Sequence, residues 1–320
     1  MLFRSGAQIT YAPSSHYANT LLPFRVYTVS SITTDDGLGG RSTSGYTYAG
    51  GYFDAAEREF RGFGYVRRQD PDGSTHETWY HQDRYLKGRP YCQVHRGPDD
   101  GPILAEEHYT WEKAFLDQGE TTAHVRLSWK QTCSYDYEGG KTYEVSTEQG
   151  HSYDETNGHL VCTWQRAANA PTLARMWTYQ NLGGWLWRLT EETLLEGRAA
   201  GKDYDWIPVR KKRCGYAAGT GNRLWEEAWL DGGKSPRTTF GYDTCGNLTQ
   251  VTDPLGRSTH TTYDTDTCTY PVKVTYPRTG TIDHVIERGY DPRFGSLLWE
   301  KDENGRLVQY AYDPLGRLVQ

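Results

Sequence analysis

The residues best suited to acid–base chemistry are Glu57 and Glu59, within Glu57-Arg58-Glu59-Phe60-Arg61-Gly62-Phe63-Gly64. Two positions apart, they share one face if the segment is a strand. Same-face neighbours fall within the ~5–9 Å that separates paired carboxylates in glycoside hydrolysis. Arg58 and Arg61 stand beside them, and ion pairing is the commoner use of such a pattern. His76 and His81 are five apart, which in a strand puts them on opposite faces and suits no shared metal. Asp35-Asp36-Gly37, Asp70-Pro71-Asp72-Gly73 and Asp302-Glu303-Asn304-Gly305 bring acidic groups together, but none continues to the carboxylate that closes a calcium loop. They read as turns. Gly232-Gly233-Lys234-Ser235 has the end of a phosphate loop, yet Ala228 stands where its first glycine belongs and Pro236 follows. A hairpin turn is the expectation there. Gly219-Thr220-Gly221 and Gly62-Phe63-Gly64 lack the third glycine and the βαβ unit of a dinucleotide site. No serine or cysteine nucleophile matches a histidine and an aspartate in order or spacing. No catalytic residue, cofactor or metal is therefore expected.

The elements that would carry these residues are set by a repeat. Tyr242-Asp243-Thr-Cys-Gly246 returns as Tyr290-Asp291-Pro-Arg-Phe-Gly295 and as Tyr312-Asp313-Pro-Leu-Gly316. Half-copies without the tyrosine lie between, at Asp253-Pro-Leu-Gly256 and Asp302-Glu-Asn-Gly305, and Tyr263-Asp264 starts a copy that departs through Cys268. Glycines 246 and 256 are 10 apart, 295 and 305 are 10 apart, and 305 and 316 are 11 apart. Asp caps its own turn, Pro presets φ, and Gly accepts positive φ. About six residues rich in Thr, Val, Leu and Tyr separate the turns, the length of an ordinary strand. The pattern predicts successive antiparallel hairpins, each marginal alone and stable only against its neighbours.

Upstream the same grammar continues without a clean repeat. Asn157-Gly158 before His159-Leu-Val-Cys-Thr-Trp164 is a strong hairpin signal. The segments with some helical character are Pro171–Met176 and Thr190–Glu196, and the second reads in context as strand. Composition agrees. Aromatics make up 14% of 320 residues although the whole hydrophobic set is only 36%, and mean hydropathy is −0.80. A helical bundle would be rich in Ala, Leu, Glu and Lys instead. No apolar run reaches the roughly 20 residues of a membrane helix. The net charge of −6 supplies no basic stripe for nucleic acid. Six cysteines, the nearest pair 23 apart, are too sparse for a disulfide scaffold and read as mostly free, structural thiols. The first residues show no secretory h-region. The end at Leu318-Val319-Gln320, just after a turn, suggests a piece of a longer polypeptide.

The two informative blocks together resemble the RHS/YD-repeat proteins, and within them the B component of bacterial Tc (ABC) insecticidal toxin complexes. Glu57–Gly64 after Tyr46-Thr47-Tyr48 and the Tyr-Asp repeats at 242, 290 and 312 carry the resemblance, with Leu22-Pro23-Phe24, Asp36-Gly37 and Tyr85–Arg89 in support. It implies an all-β fold with little or no helix, in which hairpins wind as a spiral shell around a cavity. It also implies a structural, non-catalytic role in holding a C-terminal toxic effector. Partners would be the remaining shell, that C-component-like cargo, and a pore-forming A component, in a secreted or extracellular toxin complex. The chain then divides into a B-like shell segment at 1–104, an irregular hairpin segment at 105–238, and YD repeats at 239–320.

Two other classes stay open from sequence. One is an extracellular carbohydrate-binding or adhesion module, using exposed Tyr and Trp. The other, and the last choice, is a β-rich glycosidase built on Glu57 and Glu59.

Overall fold

The computed structural model describes residues 6–19, 21–116, 118–138, 141–168, 170–200, 203–229 and 234–319. The Gly232-Gly233 turn and Gln320 lie outside them. Among the described residues the regular structure is strand, apart from one 3-10 turn at Ser14–His16. Thr, Tyr, Val and Trp suit the pleated surface, and the Gly- and Asp-containing clusters end each strand.

The chain forms two units, Met1–Ala174 with Glu196–Asp205, and Arg175–Leu195 with Trp206–Gln320. In the first, ten strands follow one another. They are β1 (Gly6–Pro13), β2 (Tyr27–Asp35), β3 (Arg41–Asp54), β4 (Glu59–Gln69), β5 (Thr75–Tyr80), β6 (Pro90–Arg96), β7 (Ile103–Phe115), β8 (Ala123–Glu138), β9 (Lys141–Tyr153) and β10 (Leu160–Ala167). Each pairs antiparallel with the next. Then come β11 (Thr172–Asn181), β12 (Trp187–Ala200) and β13 (Asp203–Tyr216). The segments with weak helical character are thus strands, because the flanking turns leave their alternating Thr and Leu a sheet to join.

In the second unit β13 leads into β14 (Arg223–Ala228), β15 (Arg237–Tyr242), β16 (Leu248–Thr252), β17 (Ser258–Tyr263), β18 (Pro271–Thr279), β19 (Ile282–Tyr290), β20 (Leu297–Lys301) and β21 (Leu307–Gln309). Again every strand pairs antiparallel with its successor. Such a meander puts alternate turns at the same end of the sheet.

Few side chains are fully enclosed. Among the described residues the buried apolar ones are Leu86, Val94, Cys133 and Ala174, all in the first unit. In the second unit Tyr242, Tyr263, Tyr290, Trp225 and Trp299 are half-buried on the sheet. Its order therefore rests on strand pairing and cross-strand contacts more than on a solid core.

Candidate functional site

The repeated turns share one construction. Gly256 N–H donates to Asp253 O at 2.9 Å, and Asp253 N–H donates to Arg257 O at 2.9 Å. The Asp253 carboxylate accepts the N–H groups of Leu255 and Arg257, both at 2.9 Å, so the donors freed by the reversal are satisfied locally. Gly256 has φ 82°, where an L side chain crowds its own backbone. The turns at Asp243–Gly246, Asp302–Gly305 and Asp313–Gly316 copy this bond for bond. Asp291–Gly295 is one residue longer, closing through Gly295 N–H to Asp291 O at 2.8 Å. The carboxyls of Asp243, Asp253 and Asp313 are held below their ordinary value chiefly by these backbone donors. Asp291 falls to about 2, first through its side-chain bond to Arg293.

At Tyr263-Asp264 the turn is wider. Asp264 accepts from the N–H of Thr267, Thr269 and Tyr270 at 2.7, 2.8 and 2.6 Å, and its pKa is strongly lowered, most by Tyr270. Cys268 in this turn is disulfide-bonded to Cys245 in the Asp243 turn, with Cα atoms 6.4 Å apart. This corrects the expectation of free thiols for that pair. Their turns start 21 residues apart, at Asp243 and Asp264, and the meander returns Cys268 beside Cys245. Cys92, Cys133, Cys162 and Cys214 are free.

The Glu57–Gly64 stretch forms a second constellation, and Glu57 and Glu59 are not strand neighbours. Glu57 and Arg58 belong to the turn between β3 and β4, with Arg58 at φ 53°, and Glu59 begins β4. Asp54 makes this turn, accepting from Ala56 N–H at 2.9 Å and Glu57 N–H at 3.1 Å. Its other oxygen lies 2.7 Å from Nη2 of Arg61, whose side chain is 7% exposed. Glu59 lies 3.7 Å from Arg61 Nε and pairs with Lys87, while Glu57 lies 3.8 Å from Arg84. Each glutamate is therefore occupied by a cation.

Gly62, at φ 83°, breaks the alternation of β4, and the β3–β4 register shifts between Gly51 and Phe53. As a result Phe60 and Phe63, three apart, meet edge to face with centroids 5.7 Å apart. Phe24 joins them, 6.2 Å from Phe60 and 5.1 Å from Phe53. Gly64 leaves room for Gln82, whose amide donates to Gly50 O at 2.7 Å and Gly62 O at 3.0 Å. The stretch is a packed joint in which Arg61 is buried and both glutamates are partly exposed.

His76 stacks on His95 with centroids 4.2 Å apart, and His81 packs on Tyr91. Among the described residues no group of three His, Cys, Asp or Glu side chains is placed to hold a metal ion.

Comparison with known proteins follows these two blocks. The model of the insecticide toxin TcdB middle/N-terminal region matches residues 5–92, and the RHS repeat model matches residues 231–258. In these two stretches the chain is similar to RHS/YD-repeat proteins and to the Tc toxin B component. No curated protein matches this chain. Among solved structures, TcdB2-TccC3 superposes with a TM-score of 0.78 at 13% identity, over 99% of this chain and 24% of that one. TcdB2-TccC3 without its hypervariable C-terminal region gives 0.77 at 12%, over 99% and 24%. A Photorhabdus luminescens Tc holotoxin pore gives 0.77 at 12%, over 99% and 23%. The chain thus has the fold of about a quarter of those longer chains.

Two further copies of the repeat turn lie upstream. Tyr153-Asp154-Glu-Thr-Asn-Gly158 closes through Gly158 N–H to Asp154 O at 2.9 Å, as at Asp291–Gly295. Tyr216-Ala217-Ala-Gly-Thr-Gly221 closes the same way at 2.9 Å with alanine in the aspartate's place. The signal that could have found them is a tyrosine followed five residues later by glycine. The tyrosines have a shared task. Tyr153, Tyr216 and Tyr312 donate their hydroxyls to the carbonyls of Leu127, Leu189 and Leu297, each at 2.9 Å. Registers shift at Tyr216, Tyr242, Tyr263 and Tyr290, so the repeat carries a bulge as well as a turn.

Proposed function

We propose that this chain is a non-catalytic wall segment of a toxin-encapsulating RHS/YD-repeat shell of the Tc toxin B type. The observation that carries the reading is the superposition of 99% of the chain on TcdB2-TccC3. The sheet's construction supports it. Two-faced hairpins with little solid core make a thin wall, and their turns and ion pairs engage the polar groups that a catalytic site would need free. The partners on this reading are the rest of the shell and a C-component-like effector, with a pore-forming A component for delivery. The place of action is an extracellular toxin complex. The three sequence segments, 1–104, 105–238 and 239–320, are successive stretches of that wall, and Glu57–Gly64 and the Tyr-Asp turns are its structural joints.

The test is single-particle imaging of the gene product carrying this chain, co-expressed with a C-component-type partner, together with protease digestion. We expect a hollow particle with this chain in its wall and an effector cut far more slowly inside than alone. A solid particle, or an effector cut equally fast in both settings, overturns the reading.

A further inference from the structure

Cys245 and Cys268 belong to turns that are each complete without the bond between them. Asp243 holds the N–H groups of Cys245 and Asn247 at 2.9 and 2.8 Å, and Asp264 holds those of Thr267, Thr269 and Tyr270. The disulfide therefore does not shape either turn. It fastens one hairpin to the next but one. A hydrogen bond from Asn247 Nδ2 to Cys268 O at 2.7 Å runs alongside it. Both cysteines line an open cleft of about 550 Å³, with Asp243, Gln250, His260 and Asp264 also on its walls. Cys245 is exposed and Cys268 half-exposed, so a small thiol can reach the bond.

We propose that Cys245–Cys268 is a redox-operated clasp, opened by a dithiol reductant entering this cleft. A thiolate of the reductant attacks Sγ of Cys245, the S–S bond breaks, and Cys268 leaves as a thiolate that takes up a proton. The reductant's second thiol then attacks the mixed disulfide and releases Cys245. The cystine gains two electrons and two protons, and the reductant becomes an intramolecular disulfide. With the clasp open, the two turns keep their aspartate caps but lose their covalent link. Three of the four free thiols compete poorly in this exchange. Cys133 is buried, and burial raises the Cys92 and Cys162 thiols above their ordinary value, which leaves them poor nucleophiles.

The probe is dithiothreitol on the 320-residue chain, read by non-reducing peptide mapping, thiol alkylation, hydrogen exchange and melting. Air-oxidised protein should yield the 245–268 cross-linked peptide. Mild reduction should expose two further alkylatable cysteines, speed exchange at 243–247 and 264–270 by about tenfold, and lower Tm by about 5 °C. A Cys245→Ser, Cys268→Ser double variant should melt low with no response to dithiothreitol. If that variant does not fold, the wild-type titration decides alone. Finding both residues as thiols in air-oxidised protein, or cutting the bond without change in exchange or melting, overturns the clasp.

Discussion

Trp299 stands directly across from Gly289 in the β19–β20 ladder, and its indole fills the space where a side chain at 289 would begin. A Cβ on Gly289 would lie 2.0 Å from Trp299 Nε1. The same opposition joins Gly215 with Trp225 and Gly150 with Trp164, where a Cβ would lie 2.2 Å from the ring. In a sheet with so little solid core, an aromatic ring laid over a cross-strand glycine buries apolar surface that the glycine alone could not. Gly289→Ala should therefore displace the indole and destabilise the second unit by about 1–3 kcal/mol. Urea melts followed by tryptophan fluorescence check this. A Trp299→Ala background should shrink the effect, because the clash partner is gone.

The turn glycines answer to conformation and not to crowding. Nothing lies within 4 Å of a Cβ built on Gly256 or Gly246, yet their φ values are 82° and 88°. Gly256→Ala and Gly246→Val should each cost about 1 kcal/mol or more, the valine costing more through its β-branch. Gly45 in β3 has the same open space without positive φ, and Gly45→Ala should be neutral or slightly stabilising. Equal losses at all three positions would refute a conformational cause.

Acid should loosen the turns in a defined window. Asp291 falls from 3.8 to about 2 on folding, and Asp243, Asp253 and Asp313 are also lowered. The unfolded chain thus takes up these protons first as pH drops. The turns' contribution is whole above about pH 4 and is lost as pH falls toward about 2. Melting temperature measured from pH 6 to 2 should decline below pH 4. Asp291→Asn keeps an acceptor for the Arg293 N–H but removes the charge, and should flatten part of that decline.

Among the described residues, Arg61 and Asp54 form the most enclosed ion pair of the first unit, 2.7 Å apart with side chains 7% and 17% exposed. Removing the guanidinium leaves the Asp54 carboxylate enclosed without its cation, although the Ala56 and Glu57 donors remain. Arg61→Ala should lower the denaturation midpoint. Adding Asp54→Ala should cost much less than a second such loss. Full additivity in chemical denaturation would show that the two residues act independently.

Local chemistry was legible from sequence wherever a few adjacent residues suffice to set it. Asp253-Pro-Leu-Gly256 contains the acceptor, the preset φ and the permissive glycine of its own turn, and Asn157-Gly158 marked its hairpin for the same reason. The relations that cross strands were not legible. Glu57 and Glu59 read as strand neighbours, but Asp54 caps a turn that places one in the loop and the other in β4. Phe60 and Phe63, three apart and so opposite-facing in a regular strand, are brought together by the bulge at Gly62. The copy at Tyr216-Ala217 is hidden from its local sequence by the missing aspartate.

By itself the sequence determined the strand-and-turn alternation, since turn propensity and period-two patterning act within about ten residues. Tertiary structure alone decided which distant residues meet: Cys245 with Cys268, Trp299 over Gly289, Arg61 against Asp54. Those contacts depend on register, and a single bulged residue reverses the face of every side chain after it. Local propensity fixes how many residues a turn takes. Only the paired sheet fixes what lies across from them.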